Sequence, residues 1–286
     1  MARMRIVPEG EPEFPITAEI LSNLCSQKSV TERQCLEEFE YMCQQMDWTY
    51  AMSDDHRYWV SGREEQEKLD KMYEEFKLPF WCQTRFEDVD REKIQWLKEV
   101  GLYRMSFGLE HGNEEFRKKR LFRNITNRHM IEKAEILGEY EIPYSINIII
   151  GMPYETRELI FDTINLARDI KTFDSIAVNI FAPYRGTVLR RNAIDEGWLD
   201  PNLRATSFIE KSILRMPKPY LQPDEMLGLQ RVFPLYVTMD ESYHEQIKRA
   251  EIFDEEGNAI FDKLSEKYYK DKYGTTEADR MLTYAG

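Results

Sequence analysis

Residues 142–156 read IPYSINIIIGMPYET, and the fold of the chain depends on how this stretch is taken. Ser145 to Ile150 is a β-branched, mostly apolar run without a charge, the pattern of a strand buried on both faces in a parallel sheet. Gly151 ends the run and Met152-Pro153 turns the chain. Glu155-Thr156 then opens an amphipathic helix, with Thr156 as its N-cap. Strand, glycine turn, acid and helix make half of a βα unit, and parallel α/β folds bind ligands beyond such strand ends. A buried strand with an ordinary turn gives the same pattern in isolation, so the neighbouring segments decide.

Those segments repeat the alternation. Strands are expected at 48–53, 79–84, 103–109, 145–150 and 175–181, each followed by a helical pattern. A capping box at Ser29-Val30-Thr31-Glu32 starts a helix that reaches about Met46, and a polar helix follows over residues 64–76. Ile94, Leu97 and Val100 share one helical face, as do Met130, Ala134 and Leu137, and again Ile160, Thr163, Ala167 and Ile170. Five strand–helix units with short connections predict a parallel sheet with crossover helices. An open sheet and a barrel both satisfy that pattern. In either, Asp54, Asp55, Arg85, Glu110, Gly151, Glu155 and Pro183 stand at strand carboxyl ends and are expected on one face. Acids dominate that set, which suits an amine, a ribose diol or a metal-bound ligand better than a phosphate.

Composition sets the outer limits. At 286 residues with 42% apolar content the chain can form one large α/β domain with an appendage. No 18-residue uncharged run is present, and an acidic, proline-containing segment follows Met1–Ile6 where a signal peptide would be apolar. The expectation is therefore a cytoplasmic protein that does not bind membranes. A net charge of −13 argues against broad nucleic-acid binding, and the basic run 117–128 (RKKRLFRNITNR) reads as a solvated helix face. Cys25, Cys35, Cys43 and Cys82 lack metal-loop spacing, and the four histidines form no ligand pair, so no protein-only metal site is expected. Past Gly197 the alternation stops. Pro223 is placed to start a helix reaching about Phe233, a turn is expected at 254–258 (DEEGN), and a charged helix over 259–269 completes a helical tail.

The motifs MSFGLEHGNEEFRKK (105–119), NIIIGMPYETRELIFDTI (147–164) and VNIFAPYRGTVLRRNAIDEGWLD (178–200) resemble the later part of the radical S-adenosylmethionine core. The likeness is to enzymes with an upstream cobalamin-binding domain, and it covers about residues 29–200. It implies an incomplete parallel (β/α) barrel over 29–200, an irregular segment at 1–28 and a mainly helical extension at 201–286. It also implies residue roles. Asp54 and Asp55 would receive the methionine amino group, Ser106 and Glu110 the ribose hydroxyls, Arg123 the methionine carboxylate, and Ile149 to Gly151 would pack on adenine.

One departure bears on function. The family's CxxxCxxC, which holds a [4Fe–4S] cluster, is absent from the printed sequence: nine residues separate Cys25 from Cys35, and seven separate Cys35 from Cys43. Without that cluster the sulfonium receives no electron, so the chain alone is not expected to perform radical chemistry. Two readings follow. The chain is the C-terminal part of a cobalamin-type radical enzyme, acting in methyl transfer or related chemistry, either made as a fragment or completed by an upstream chain carrying cluster and cobalamin. Alternatively it is a non-catalytic barrel derivative serving as a binding or regulatory module.

Overall fold

A computed structural model describes residues 4–8, 48–53, 80–99, 101–204 and 211–274. The capping box at 29–32, the helices expected over 29–46 and 64–76, Val100, Asp54, Asp55 and the first three cysteines lie outside the described residues. Six strands form one sheet in the order β1-β2-β3-β4-β5-β6. They are β1 (Met4–Pro8), β2 (Trp48–Ser53), β3 (Phe80–Thr84), β4 (Leu102–Glu110), β5 (Tyr144–Ile150) and β6 (Ser175–Ile180). The ladders β2–β3 and β3–β4 are parallel. Asp174 N–H reaches Tyr144 O and Phe181 N–H reaches Ile150 O, so β5 and β6 also advance together. Sequential order is that of an incomplete (β/α) barrel, since a doubly wound sheet would reverse its order partway.

The five expected strands are thus present within a residue or two. The sixth, β1, is a finding the sequence did not supply: MRIVP pairs antiparallel with β2 at the sheet edge. Five residues flanked by polar and proline-rich sequence carry too little periodicity to be read alone. Nor is β5 buried on both faces. Tyr144, Ile146, Ile148 and Ile150 are fully buried, whereas Ser145, Asn147 and Ile149 are half-exposed.

The described helices are α1 (Arg91–Glu99), α2 (Glu114–Arg120), α3 (Asn127–Glu139), α4 (Arg157–Asp169), α5 (Val188–Asp195), α6 (Pro223–Thr238), α7 (His244–Ala250) and α8 (Glu255–Tyr273). Two compact units divide the chain. The first comprises Met1–Leu109, Arg128–Asn147 and Thr172–Ser175; the second comprises Glu110–Asn127, Ile148–Lys171 and Ile176–Gly286.

In the first unit, Ile94, Leu97, Met130, Ala134 and Leu137 are buried as their spacing requires. Phe86 stacks on Phe107 with centroids 4.6 Å apart, and Tyr144 meets Phe107 edge-on at 5.5 Å. All three rings are buried, a core of large contact area and fixed geometry. Burial also raises the Tyr144 hydroxyl above its ordinary pKa, and its OH lies 2.6 Å from Thr172 Oγ1.

In the second unit, Ile160, Thr163, Ala167 and Ile170 line the buried side of α4, and Thr156 caps the helix by accepting from Leu159 N–H. Pro223 opens α6 as expected, yet the helix continues past Phe233 through Pro234 to Thr238. The expected turn at 254–258 is instead a helix start: Asp254 accepts from Gly257 N–H at 2.8 Å and α8 begins at Glu255. Gly257 is there because its helix turn lies against Ile252 O and Arg249, leaving no room for a Cβ. No helix among the described residues is long and apolar enough to cross a membrane.

Candidate functional site

Within the second unit, β4 and β5 both end in left-handed backbone. Glu110, the last residue of β4, has φ of 64°, and Gly151, just past β5, has φ of 81°. Gly151 has a steric reason as well, because a Cβ there would sit 2.5 Å from Sδ of Met226 on α6. For Glu110 no such freedom exists, and a side chain in this conformation costs about 1–2 kcal/mol.

The turn after β5 is tied by its own acid. Glu155 Oε2 accepts the N–H of Gly151 and, at 3.1 Å, that of Met152. Its other oxygen, Oε1, lies 3.1 Å from Nε2 of His111, the residue after β4. Both side chains are wholly buried. The approach is off-line for a hydrogen bond, so neither atom has a properly aligned partner. Nδ1 of His111 accepts from Asn113 N–H at 3.0 Å, which puts the ring proton of neutral His111 on Nε2, facing the carboxylate.

The rest of the β4 end is clamped with equal care for its polar groups. His111 stacks on Phe116 with centroids 4.2 Å apart. Gly112 N–H donates to Thr163 Oγ1 at 2.8 Å, and any Cβ on Gly112 would strike the backbone of Asp162. Asn113 Oδ1 caps α2 through Phe116 N–H, while its Nδ2 donates to Asp162 Oδ2 at 2.8 Å. Arg117 has no exposed surface and donates to His111 O (2.6 Å), Ile125 O (2.6 Å) and Asn127 Oδ1 (2.8 Å). The basic run is therefore not a solvated face throughout. Arg117 and Arg123 are buried, and Arg120 lies 3.7 Å over the ring of Tyr154.

Tyr154 is itself held at φ of 72°. Its ring meets Trp198 at 4.8 Å and Tyr220 at 6.0 Å, and its hydroxyl donates to Glu196 at 2.9 Å. Farther along α4, Arg157 pairs with both oxygens of Glu251, Nη1–Oε2 at 2.8 Å and Nη2–Oε1 at 2.5 Å. Tyr236 donates to the same Oε1 at 2.7 Å, and burial together with that carboxylate raises its pKa.

Of the expected site residues, Glu110, Arg123, Ile149 and Gly151 fall in the second unit and Ser106 in the first. Ser106 is buried, and its Oγ accepts from Ser145 Oγ at 3.0 Å and Asn147 Nδ2 at 2.7 Å. Asp54 and Asp55 lie outside the described residues. His111, Asn113 and Arg117 are polar anchors that the sequence reading did not single out; the only signal was their position within seven residues of a strand end.

The described residues include a single cysteine. This residue, Cys82, is buried in β3, and burial pushes its thiol well above its ordinary pKa. A cluster ligand must be a thiolate, and Cys82 is held as a thiol. No group of three or more His, Cys, Asp or Glu able to hold a metal occurs among the described residues. Cys25, Cys35 and Cys43 lie outside the described residues, and their spacing in the sequence differs from CxxxCxxC.

A sequence profile of the Radical SAM superfamily matches residues 23–167, just over half of the chain. Comparison with curated protein sequences gave no match. Among solved structures, the radical S-adenosylmethionine methyltransferase TsrM from Kitasatospora setae, with cobalamin and a [4Fe–4S] cluster bound, superposes with a TM-score of 0.50 at 14% identity, covering 82% of this chain and 55% of that one. TsrM with tryptophan and a SAM analogue gives 0.49 at 15% identity, over 74% and 47%. Elp3 from the archaeon Methanocaldococcus infernus, lacking its N-terminus, gives 0.44 at 14% identity, over 57% and 44%. The chain spans about half the length of these structures. Likeness at this identity is likeness of fold.

Proposed function

This chain belongs to the radical SAM superfamily, and from that premise we propose that the carboxyl ends of β4 and β5 hold the adenosyl part of S-adenosylmethionine. Glu110 takes the ribose hydroxyls, Ile149 and Gly151 lie against adenine, and Arg123 pairs with the methionine carboxylate. Ser106 joins the ribose contacts, and Asp54 and Asp55 receive the amine. The observation that carries this reading is Glu110. A non-glycine residue persists in left-handed backbone at the end of a strand, and strained backbone of this kind clusters at ligand-binding sites. In this reading residues 29–200 make the barrel and 201–286 a helical extension.

The wider proposal is a part of a cobalamin-type radical enzyme, acting in methyl transfer or related chemistry with a partner that brings cluster and cobalamin. The second reading, a non-catalytic binding module, is favoured by the cysteine chemistry, since Cys82 is a protonated core thiol and the remaining cysteines lack cluster spacing.

Calorimetry with S-adenosylmethionine tests the shared element. Lacking iron to chelate its amine and carboxylate, the ligand relies on charge-assisted hydrogen bonds of roughly 1.5–3 kcal/mol each, which offset part of the immobilisation cost. Dissociation constants no tighter than about 100 μM are expected, near −5.5 kcal/mol. Glu110→Ala should weaken binding and Cys82→Ala should not. No heat at millimolar ligand, or equal loss in both variants, removes this ligand or moves its site.

A further inference from the structure

The segment after β6 borders an open pocket of about 290 Å³ that the adenosyl proposal does not use. Arg185, Thr187, Arg190, Arg191, Ile194 and Pro201 line it, and no acidic side chain does. The chain as a whole is strongly acidic, with a net charge of −13, so three arginines around an acid-free hollow stand against its average composition.

Arg190 is the informative member. It is only 4% exposed. Its guanidinium donates to Pro183 O at 2.9 Å, Pro201 O at 2.9 Å and Leu203 O at 2.7 Å. Carbonyl dipoles accept its hydrogen bonds, while buried charges are ordinarily paired with an opposite charge. No carboxylate among the described residues forms an ion pair with Arg185, Arg190 or Arg191. A purely structural arginine would give the same carbonyl contacts, but it would not need two further arginines on the same wall, neither in an ion pair among the described residues. Arg185 and Arg191 are exposed, and their planar forks are free to close on an oxyanion. The cavity also follows a strand carboxyl end, the side on which parallel folds bind ligands.

We propose that this cavity is a binding site for the anionic group, phosphoryl or carboxyl, of a small molecule. Arg190 supplies a fixed charge, held in place by three carbonyls. Arg185 and Arg191 supply the hydrogen bonds that capture and release the anion. The site goes beyond the adenosyl reading and stands without it.

The test is titration of the full chain with pyrophosphate and, separately, with succinate at low ionic strength, where exposed charge is least screened. Saturable binding of at least one anion is expected. The double variant Arg185→Gln/Arg191→Gln should weaken it at least about tenfold. Arg128→Gln, which removes a surface arginine paired with Glu132, should leave it unchanged. Tighter pyrophosphate assigns a phosphoryl group, and tighter succinate a carboxyl group. Both altered arginines are exposed, and circular dichroism checks that the fold is kept. Absence of saturable heat with either anion overturns the site, as does equal binding by wild type and the double variant, or equal loss in Arg128→Gln. Adenosylmethionine is titrated apart, so a chain that takes pyrophosphate alone keeps this site and loses the other reading.

Discussion

His111 Nε2 and Glu155 Oε1 lie 3.1 Å apart with both side chains wholly buried, joining the first residue past β4 to the turn past β5. Glu155 spends its other oxygen on the N–H groups of Gly151 and Met152. Removing the carboxyl would strand two buried donors and take away the charge that faces the imidazole. Glu155→Ala should destabilise the chain by about 3 kcal/mol or more, and Glu155→Gln by roughly 1 kcal/mol, since one oxygen is kept. Urea unfolding measures both. A double-mutant cycle with His111→Phe should return a coupling of about 0.5–3 kcal/mol. A coupling near zero would make the 3.1 Å approach energetically idle.

Glu110 separates stability from binding. Glu110→Gly removes the cost of a left-handed side chain, so the chain should gain about 1 kcal/mol in thermal or urea unfolding. The same variant should bind S-adenosylmethionine more weakly, as Glu110→Ala does. A variant that loses stability and keeps affinity would show that the side chain serves the fold.

Gly151 faces a double constraint, φ of 81° and the sulfur of Met226. Gly151→Ala should cost about 3 kcal/mol, of which roughly 1–2 is backbone strain and the rest the clash. In a Met226→Ala background only the strain should remain. An undiminished cost in that background would locate the clash elsewhere.

Alkaline stability follows from Cys82. Its pKa is raised in the folded state, above the 9.0 of a free thiol, by burial. The unfolded chain therefore releases this proton first as pH climbs, and stability falls above about pH 9, by at most about 1.4 kcal/mol per unit. Below pH 9 the contribution is fully present. Cys82→Ala should flatten that decline in urea midpoints measured between pH 8 and pH 10 or so. An unchanged slope would assign the decline to other groups, such as the buried Tyr144 hydroxyl.

Anaerobic reconstitution with iron and sulfide should leave this chain without a stoichiometric [4Fe–4S] centre. A charge-transfer band that survives desalting and vanishes in Cys25→Ala would show that distant cysteines assemble a site despite their spacing.

What could be read from the sequence was what repeats. Strands near 79–84, 103–109, 145–150 and 175–181, the inner faces of α1, α3 and α4, and the Thr156 cap are all set by local period or a single capping residue. What escaped was set by contacts across the chain. Arg117 and Arg190 look like surface charge in a row of basic residues, and only the carbonyls of His111, Ile125, Pro183, Pro201 and Leu203 explain their burial. The helix from Pro223 was expected to end near Phe233, yet packing of Val232, Phe233, Leu235 and Tyr236 carries α6 through Pro234. Gly257 suggested a turn, though Asp254 caps a helix across it. The left-handed positions Glu110 and Gly151 stood out because strand ends are legible; the burial of His111 did not, because Glu155 lies 44 positions away.

The tie between Arg157 and Glu251 bears on how this sequence can drift over time. Glu251 answers to Arg157 through two hydrogen bonds and to Tyr236 through a third, and its backbone carbonyl lies 2.6 Å from where a Cβ on Gly228 would stand. Any one of the four, replaced alone, leaves a charge, a hydroxyl or an atom's worth of volume without a home. Substitutions here should therefore arrive in lineages as linked sets, Arg157 with Glu251 and Gly228 last of all. In an alignment of relatives, these positions would covary while the exposed residues of α8 wander freely.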